Sequence, residues 1–225
     1  MDISLRPDTW VVVPLYNEAQ VIGDVVRGLR EQFGNVVCVD DGSADASAAQ
    51  ARAVGAVVVQ HAINLGQGAA LQTGLDYALR RGAKYLVTFD ADGQHRVEDA
   101  VGMVELAKAE DLGIVFGSRF LDDRTDTGRI KRLVLKTAVW FTTHSIGISL
   151  TDAHNGLRVL RADAAARIHL RQDRMAHATE IVRQLHRTGL PWREYPTHVL
   201  YTDYSKGKGQ SLWNSVNILI ELMVN

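Results

Sequence analysis

A single cysteine, Cys38, stands among 225 residues. That excludes an internal disulfide framework and any zinc site built on several thiolates, and it points to a reducing compartment. Excess charge is missing too, since the formal net charge is −1 at pH 7. A globally basic nucleic-acid binder does not have this balance. Long apolar runs are also lacking. The longest charge-free, apolar-leaning stretch, 137–151, has 15 residues, whereas a spanning helix needs ~20. The opening residues carry charges and the first apolar run, Trp10 to Val13, is four residues long, so no secretory signal is expected. No internal repeat or low-complexity tract is visible. What is present is a chain that is 46% hydrophobic. It can bury a real core, is too apolar for a disordered acidic chain, and is sized for one large domain.

The first 118 residues alternate short apolar runs with helical patterns. Trp10 to Val13, Val36 to Val39, Val57 to Val59, Tyr85 to Phe89 and Ile114 to Phe116 read as buried strands. Val21, Ile22, Val25, Val26, Leu29 and Phe33 recur at helical spacing, the Ala-rich 44–54 reads as a helix, and Leu71, Leu75, Ala78 and Leu79 mark a helix face before Gly82. Continuous apolar strands separated by helices predict an α/β fold, a mostly parallel sheet covered on both faces. Ligands then sit beyond the carboxyl ends of the strands. The second half is less regular, with helices expected over 175–187 and 212–224.

The residues after the strands are rich in Asp, Asn, Gly and Arg. In Asp90-Ala91-Asp92-Gly93-Gln94-His95, two carboxylates follow an apolar strand. Carboxylate oxygens suit Mg²⁺ or Mn²⁺ carrying water and phosphate oxygens. An Asx-type turn also fits. In Asp40-Asp41-Gly42-Ser43-Ala44-Asp45, the first Asp can accept from a nucleobase or ribose, and adjacent carboxylates call for a cation or a donor array facing them. Ser43 and Asp45 fit helix N-caps equally well. In Pro14-Leu15-Tyr16-Asn17-Glu18, Tyr16 can stack on a base and Glu18 can accept from one, while Asn17 fits a helix N-cap. Asn64-Leu65-Gly66-Gln67-Gly68 opens a helix and can offer backbone N–H groups to phosphate.

These motifs, together with Gly117-Ser118-Arg119, occur in an order and at spacings that resemble the family 2 glycosyltransferases, nearest to the dolichyl- or polyprenyl-phosphate mannose synthase branch. The resemblance spans essentially the whole chain. It implies a single GT-A domain over 1–225, with a donor half (1–118) and an acceptor half (119–225), and an inverting transfer from a GDP- or UDP-sugar. By position it implies base and ribose contacts at Pro14, Tyr16, Glu18 and Asp40, with Asp41, Asn64 and Gly66 beside them. It further implies a diphosphate–metal site at Asp90, Asp92 and Gln94, and an acceptor phosphate facing Arg119. Thr151-Asp152-Ala153-His154-Asn155-Gly156-Leu157-Arg158 resembles the family's Asp-x-x-x-Gly-Phe-Arg segment, with Leu157 for the aromatic and with His154 and Asn155 departing from small polar residues.

Between Arg119 and Lys136, cations including Arg129 and Arg132 interleave with apolar residues up to Phe141. That pattern fits an amphipathic helix, docked on the core or lying on an anionic membrane. With a lipid-phosphate acceptor, the expectation is a cytoplasmic chain, at most peripheral on the membrane's inner face. Lys206 and Lys208 sit in a Gly-rich polar loop that can close over the sugar diphosphate. An anionic acceptor needs no strong base. A hydroxyl acceptor needs one, and Asp152 and Glu180 are the candidates, Glu180 fitting a salt bridge to Arg183 as well. The rivals are a transferase with a sugar or cell-wall hydroxyl acceptor, a non-catalytic nucleotide-sugar-binding module, and a nucleotidyltransferase, which the absence of an early Gly-rich basic phosphate loop disfavours.

Overall fold

The computed structural model describes residues 5–121, 147–171 and 176–200. These build a seven-stranded sheet from β1 (Thr9–Leu15), β2 (Asn35–Asp40), β3 (Val57–Gln60), β4 (Tyr85–Thr88), β5 (Ile114–Ser118), β6 (Arg158–Arg161) and β7 (Trp192–Pro196). The spatial order is β3-β2-β1-β4-β6-β5-β7. Helices α1 (Ile22–Gln32), α2 (Ser47–Ala53), α3 (Gln67–Arg80) and α4 (Val97–Ala109) link the first five strands, and α5 (Ala162–Ala165) and α6 (Ala176–Arg187) follow β6. β1 pairs in parallel with β2 and β4, β2 with β3, and β5 with β7. β6 lies antiparallel between β4 and β5.

Every residue of β1 is buried. The pleat sends Trp10 and Val12 to one face of the sheet and Val11, Val13 and Leu15 to the other. The first face packs on Leu71, Leu75 and Ala78 of α3 and on Ile181, Val182 and Leu185 of α6. The second packs on Ile22, Val26 and Leu29 of α1 and on Ala100, Met103 and Val104 of α4. Two apolar layers on one sheet explain why its strands read as unbroken apolar runs. Each fully buried Val or Leu contributes roughly 1.5–3 kcal/mol relative to exposure.

The structure departs from the expected elements at several points. β3 is an edge strand with Val57 exposed rather than a buried one. α2 starts at Ser47, because Asp45 Oδ1 accepts from the Ser47 amide at 3.0 Å and holds the residues before it out of the helix. α4 carries apolar residues around much of its circumference, which weakens the one-sided spacing that marks a helix. β6 and β7 are short and carry charged residues, so neither reads as an apolar run.

α3 crosses β1 at Gly74, where a Cβ would collide with the Val12 side chain and meet Val39 Cγ2 at 3.2 Å. The helix therefore packs closer than any side chain would allow. Gly74→Val should lower stability by about 1–3 kcal/mol through overpacking. The check is a urea titration, expected to show a lower midpoint at unchanged slope.

Candidate active site

The carboxyl ends of β1, β2, β3 and β4 converge on one cleft of about 370 Å³. Its lining includes Pro14, Tyr16, Glu18, Asp41, Asn64, Gly66, Asp90 and Asp92. The loop after β1 is fastened to the loop after β2. Asn17 adopts a left-handed φ of 53°. Its amide donates to Ser43 Oγ (2.9 Å) and its Oδ1 accepts from the Ala44 amide (2.9 Å). The Glu18 amide donates to Ser47 Oγ (2.8 Å) and the Ala19 amide to Asp45 Oδ2 (3.1 Å). Asn17 is thus a loop-to-loop tie and not a helix cap, and Ser43 serves the same tie. Tyr16 is left 48% exposed at the cleft.

The adjacent carboxylates of Asp40 and Asp41 are each met by their own donors. Asp40 is buried, accepts from the Ser43 amide (3.2 Å) and Gln60 Nε2 (2.9 Å), and does not line the cleft. Asp41 accepts from the Leu65 amide (2.9 Å) and the Gly66 amide (2.8 Å), and lies 2.7 Å from His61 Nδ1. His61 Nε2 is 3.0 Å from Thr73 Oγ1. Asp41 therefore fixes the loop that precedes α3. The donor array that adjacent carboxylates require is internal to the fold.

Asp90 and Asp92 flank the cleft floor. Asp90 Oδ1 accepts from Gln67 Nε2 (3.2 Å), and Oδ2 lies 3.0 Å from His95 Nε2, which carries the proton because a carboxylate only accepts. Burial alone would push the Asp90 carboxyl up. The His95 hydrogen bond and the charges of His95, Arg158 and His177 outweigh it and hold Asp90 below its ordinary value. Arg158 is only 3% exposed. Burial pushes its guanidinium down to about 10 against the opposing pull of Asp90 and Asp152. Gly156 is required here, since a Cβ would lie 2.7 Å from Asp90 Cγ and collide with its carboxylate. Asp92 Oδ1 accepts from the Gln94 amide at 3.0 Å, so the Asx turn and the site coexist. Burial and the charges of Asp90 and Glu18 push the Asp92 carboxyl above its ordinary value, against the Gln94 amide and His95.

Strand β6 runs against its neighbours, so its beginning meets their ends. A smaller pocket of about 120 Å³ opens there and shares Asp90 and Asp92 with the cleft. Gln94, His95, Arg119, His154 and Asn155 also line it. Arg119 is fastened to Asp152 through Nε (2.6 Å), Nη2 (2.7 Å) and its backbone amide (3.1 Å). Asp152 is buried and both its oxygens are engaged. Burial and the charges of Arg119 and Arg158 push the His154 imidazole below its ordinary value, against the pull of Asp152. Glu180 is buried on α6, accepts from the Arg171 amide (3.0 Å) and Gln184 Nε2 (3.1 Å), and lines neither pocket.

The structure thus gathers most of the sequence-predicted residues around two joined pockets. Asp40 lies outside the lining, Asp152 stands behind Arg119, and Glu180 lies apart from both pockets. Arg129, Arg132, Lys206 and Lys208, with the amphipathic and C-terminal helices expected around them, fall outside the described residues. Gln67, His177 and Arg158 were not assigned to the Asp90 environment by sequence. His177 lacks any motif, and Arg158 carried a signal only as the end of the Asp152 segment.

Among the described residues no three His, Cys, Asp or Glu side chains gather as a metal cluster. The Asp90–Asp92 pair still fits a divalent ion. Two hard oxygen donors whose mutual repulsion raises one of them suit an ion that completes its shell with water and phosphate oxygens.

Residues 10–168 match the family model described as glycosyl transferase family 2. Among similar curated proteins is an uncharacterized protein of Methanocaldococcus jannaschii, 33% identical over 97% of this chain and 92% of its own. A UDP-N-acetylglucosamine–dolichyl-phosphate N-acetylglucosaminyltransferase of Methanococcus voltae is 27% identical over 96% and 94%. A polyprenol monophosphomannose synthase of Mycolicibacterium smegmatis is 33% identical over 74% and 67%. Among solved structures, glucosyl-3-phosphoglycerate synthase from Mycobacterium tuberculosis with Mn²⁺ and UDP-glucose superposes with a TM-score of 0.69 at 18% identity, over 96% of this chain and 77% of that one. That likeness establishes the fold, a GT-A sheet.

A raised Asp92 means that the folded chain holds this proton more tightly than the unfolded chain does. Ionised Asp92 therefore opposes folding fully at pH values above its folded-state range, less as pH falls through that range, and not at all below the ordinary carboxylate range of the unfolded chain. Asp92→Asn should raise the thermal midpoint of metal-free protein at pH 7, with a gain that shrinks as pH falls. Calorimetry across pH 4–8 checks both the sign and the trend.

Proposed function

The chain belongs to glycosyl transferase family 2, and from that premise we propose that it moves a sugar, with inversion, from a nucleoside-diphosphate sugar of the GDP or UDP type to a polyprenyl phosphate. The observation that carries this reading is the shared wall of the two pockets. Asp90 and Asp92 face the larger cleft on one side and the Arg119 pocket on the other. A donor in the first and an anion in the second would meet across them.

The base and ribose would occupy the region of Pro14, Tyr16 and Glu18, with Tyr16 offering its ring face. The diphosphate would lie toward Asp90, Asp92 and the opening turn of α3, whose first N–H groups have no intrahelical acceptor and favour an anion. Mg²⁺ or Mn²⁺ would be held by Asp90 and Asp92, with Gln94 beside them. When bound, such an ion supplies positive charge to the leaving diphosphate.

Arg119 would orient the acceptor phosphate, its guanidinium plane set by Asp152. An acceptor phosphate oxygen then attacks the anomeric carbon from the face opposite the diphosphate. The new C–O bond forms as the old one breaks, and the diphosphate departs with the bonding electrons. The acceptor is already an anion, so no base is required. A hydroxyl acceptor is less favoured, because Arg119 engages both oxygens of Asp152, and Glu180 accepts hydrogen bonds from Arg171 and Gln184 and lines neither pocket. The relatives named for dolichyl phosphate and polyprenol acceptors support the same choice.

Among the described residues no helix is long and apolar enough to cross a membrane. The interleaved basic and apolar residues of 119–141 would give a peripheral contact with the membrane that carries a lipid acceptor.

Asp92→Ala should abolish sugar transfer to polyprenyl phosphate and the Mn²⁺-dependent part of nucleotide binding. Arg119→Ala should raise the KM for polyprenyl phosphate by about tenfold or more, as expected for loss of a charge-assisted contact, and leave nucleotide binding intact. The assay is transfer of labelled sugar from a panel of GDP- and UDP-sugars, with nucleotide binding followed by calorimetry. Full activity of Asp92→Ala, or transfer to hydroxyl acceptors alone, would overturn the reading.

A further inference from the structure

The acceptor pocket depends on a carboxylate that belongs to no motif. Glu194 lies on the edge strand β7, where it is paired with Phe116 of β5. Its Oε1 accepts from the Thr151 amide at 2.7 Å and from Thr151 Oγ1 at 2.8 Å. The Asp152 amide donates to the same carboxylate. Thr151 Oγ1, having given its proton to Glu194, accepts in turn from Ser118 Oγ at 2.5 Å. Ser118 is the last residue of β5 and Arg119 follows it directly. Asp152 then grips Arg119 by backbone and fork together.

We propose that Glu194 is a positioning residue for the acceptor phosphate: it holds the Thr151–Asp152 turn against the end of β5, and the turn sets the guanidinium plane of Arg119. The proposal rests on Arg119 as the acceptor-phosphate ligand. The relay joins three separate pieces of chain: β7, the turn before β6 and the end of β5. The Glu194–Thr151 joint lies at the exposed edge of the sheet, while the Ser118–Thr151 and Arg119–Asp152 joints are short and part-buried. Arginine binds phosphate through a planar fork, so the angle of that plane decides whether two N–H groups or one reach the anion. Asp152 fixes the plane, but Asp152 lies on a turn with no regular structure of its own. Glu194 gives that turn an anchor in the sheet.

The carboxylate is kept there at a cost. Burial and the Asp152 charge push Glu194 above its ordinary value, and the Thr151 and Asp152 donors offset this only in part. A group that merely filled the edge of the sheet would not need one oxygen that accepts from both the amide and the hydroxyl of Thr151. The acceptor geometry is what the relay uses, so an amide of the same shape should serve nearly as well.

The experiment compares Glu194→Ala, Glu194→Gln and Thr151→Val in the full chain. Three readouts are taken: nucleotide Kd by calorimetry, KM and kcat with polyprenyl phosphate, and the ¹⁵N Nε–H resonance of Arg119, assigned through Arg119→Lys. Glu194→Ala should raise the acceptor KM by about tenfold, leave the nucleotide Kd unchanged, and broaden or shift the Arg119 Nε–H signal. Glu194→Gln should restore both KM and signal. Thr151→Val, which removes only the hydroxyl joint, should give a smaller rise in the same KM, and it keeps the test open if Glu194→Ala does not fold. An unchanged Arg119 signal and acceptor KM in Glu194→Ala and Thr151→Val would overturn the proposal. So would a loss of nucleotide affinity in Glu194→Ala, or a Glu194→Gln variant that restores neither KM nor signal, because either marks a role other than the acceptor relay. If the wild type transfers nothing to polyprenyl phosphate, the functional reading fails by itself, and the Arg119 resonance still decides whether Glu194 sets the guanidinium.

Discussion

The reversed direction of β6 is the constraint on which the site depends. Parallel strands deliver their loops to one end of the sheet, and β1, β2, β3 and β4 build the larger cleft there. A strand of opposite sense inserted between β4 and β5 delivers its beginning to that same end. Asp152, His154, Asn155 and Gly156 are thereby brought against Asp90 and Arg119. With β6 parallel, the 151–157 segment would lie at the opposite end of the sheet, and the two pockets would share no wall.

Electrostatics follow from that arrangement. Asp90 is held below its ordinary value against burial by groups drawn from three places: the His95 hydrogen bond, Arg158 on β6 and His177 on α6. Among the described residues Asp92 has a weaker set, the Gln94 amide and His95, and is raised by burial and by the charges of Asp90 and Glu18. One carboxylate is therefore committed to its charge, while the other carries the strain of the pair. The same cleft that opposes folding at Asp92 is prepared for a positive partner, which is how stability and function trade at a site of this kind.

The reading of the sequence succeeded where residues sit next to one another in the chain. Trp10–Val13 and Val36–Val39 declared central strands because both faces of the sheet are covered. Asp90-x-Asp92 and Asn64-x-Gly66 were expected beyond the strand ends, and they line one cleft there. What escaped was set by contacts between distant segments. Asp40 and Asp41 look alike in sequence, yet one is buried behind Gln60 and the other anchors the Leu65–Gly66 loop. Asp152 looked like a base until Arg119 was found to engage both its oxygens. His177 and Glu194 have no motif at all, since what they touch is decided by where α6 and β7 dock. Periodicity failed for β6 and β7 because each is short and mixed in composition.

The tie between the loops after β1 and β2 bears on how the larger cleft would discriminate between ligands. Four hydrogen bonds fasten residues 17–19 to Ser43, Ala44, Asp45 and Ser47, and Asp41 fastens Leu65 and Gly66. Ordering of these loops is thus accomplished during folding and draws little from a nucleotide's arrival. On the proposed function, two nucleotides entering this cleft would meet the same rigid walls and incur the same small entropy loss. Their difference in affinity would then lie in direct contacts of the base with groups such as Tyr16 and Glu18. Selectivity of that kind is enthalpic, a matter of shape and hydrogen-bond matching, and it weakens as temperature rises.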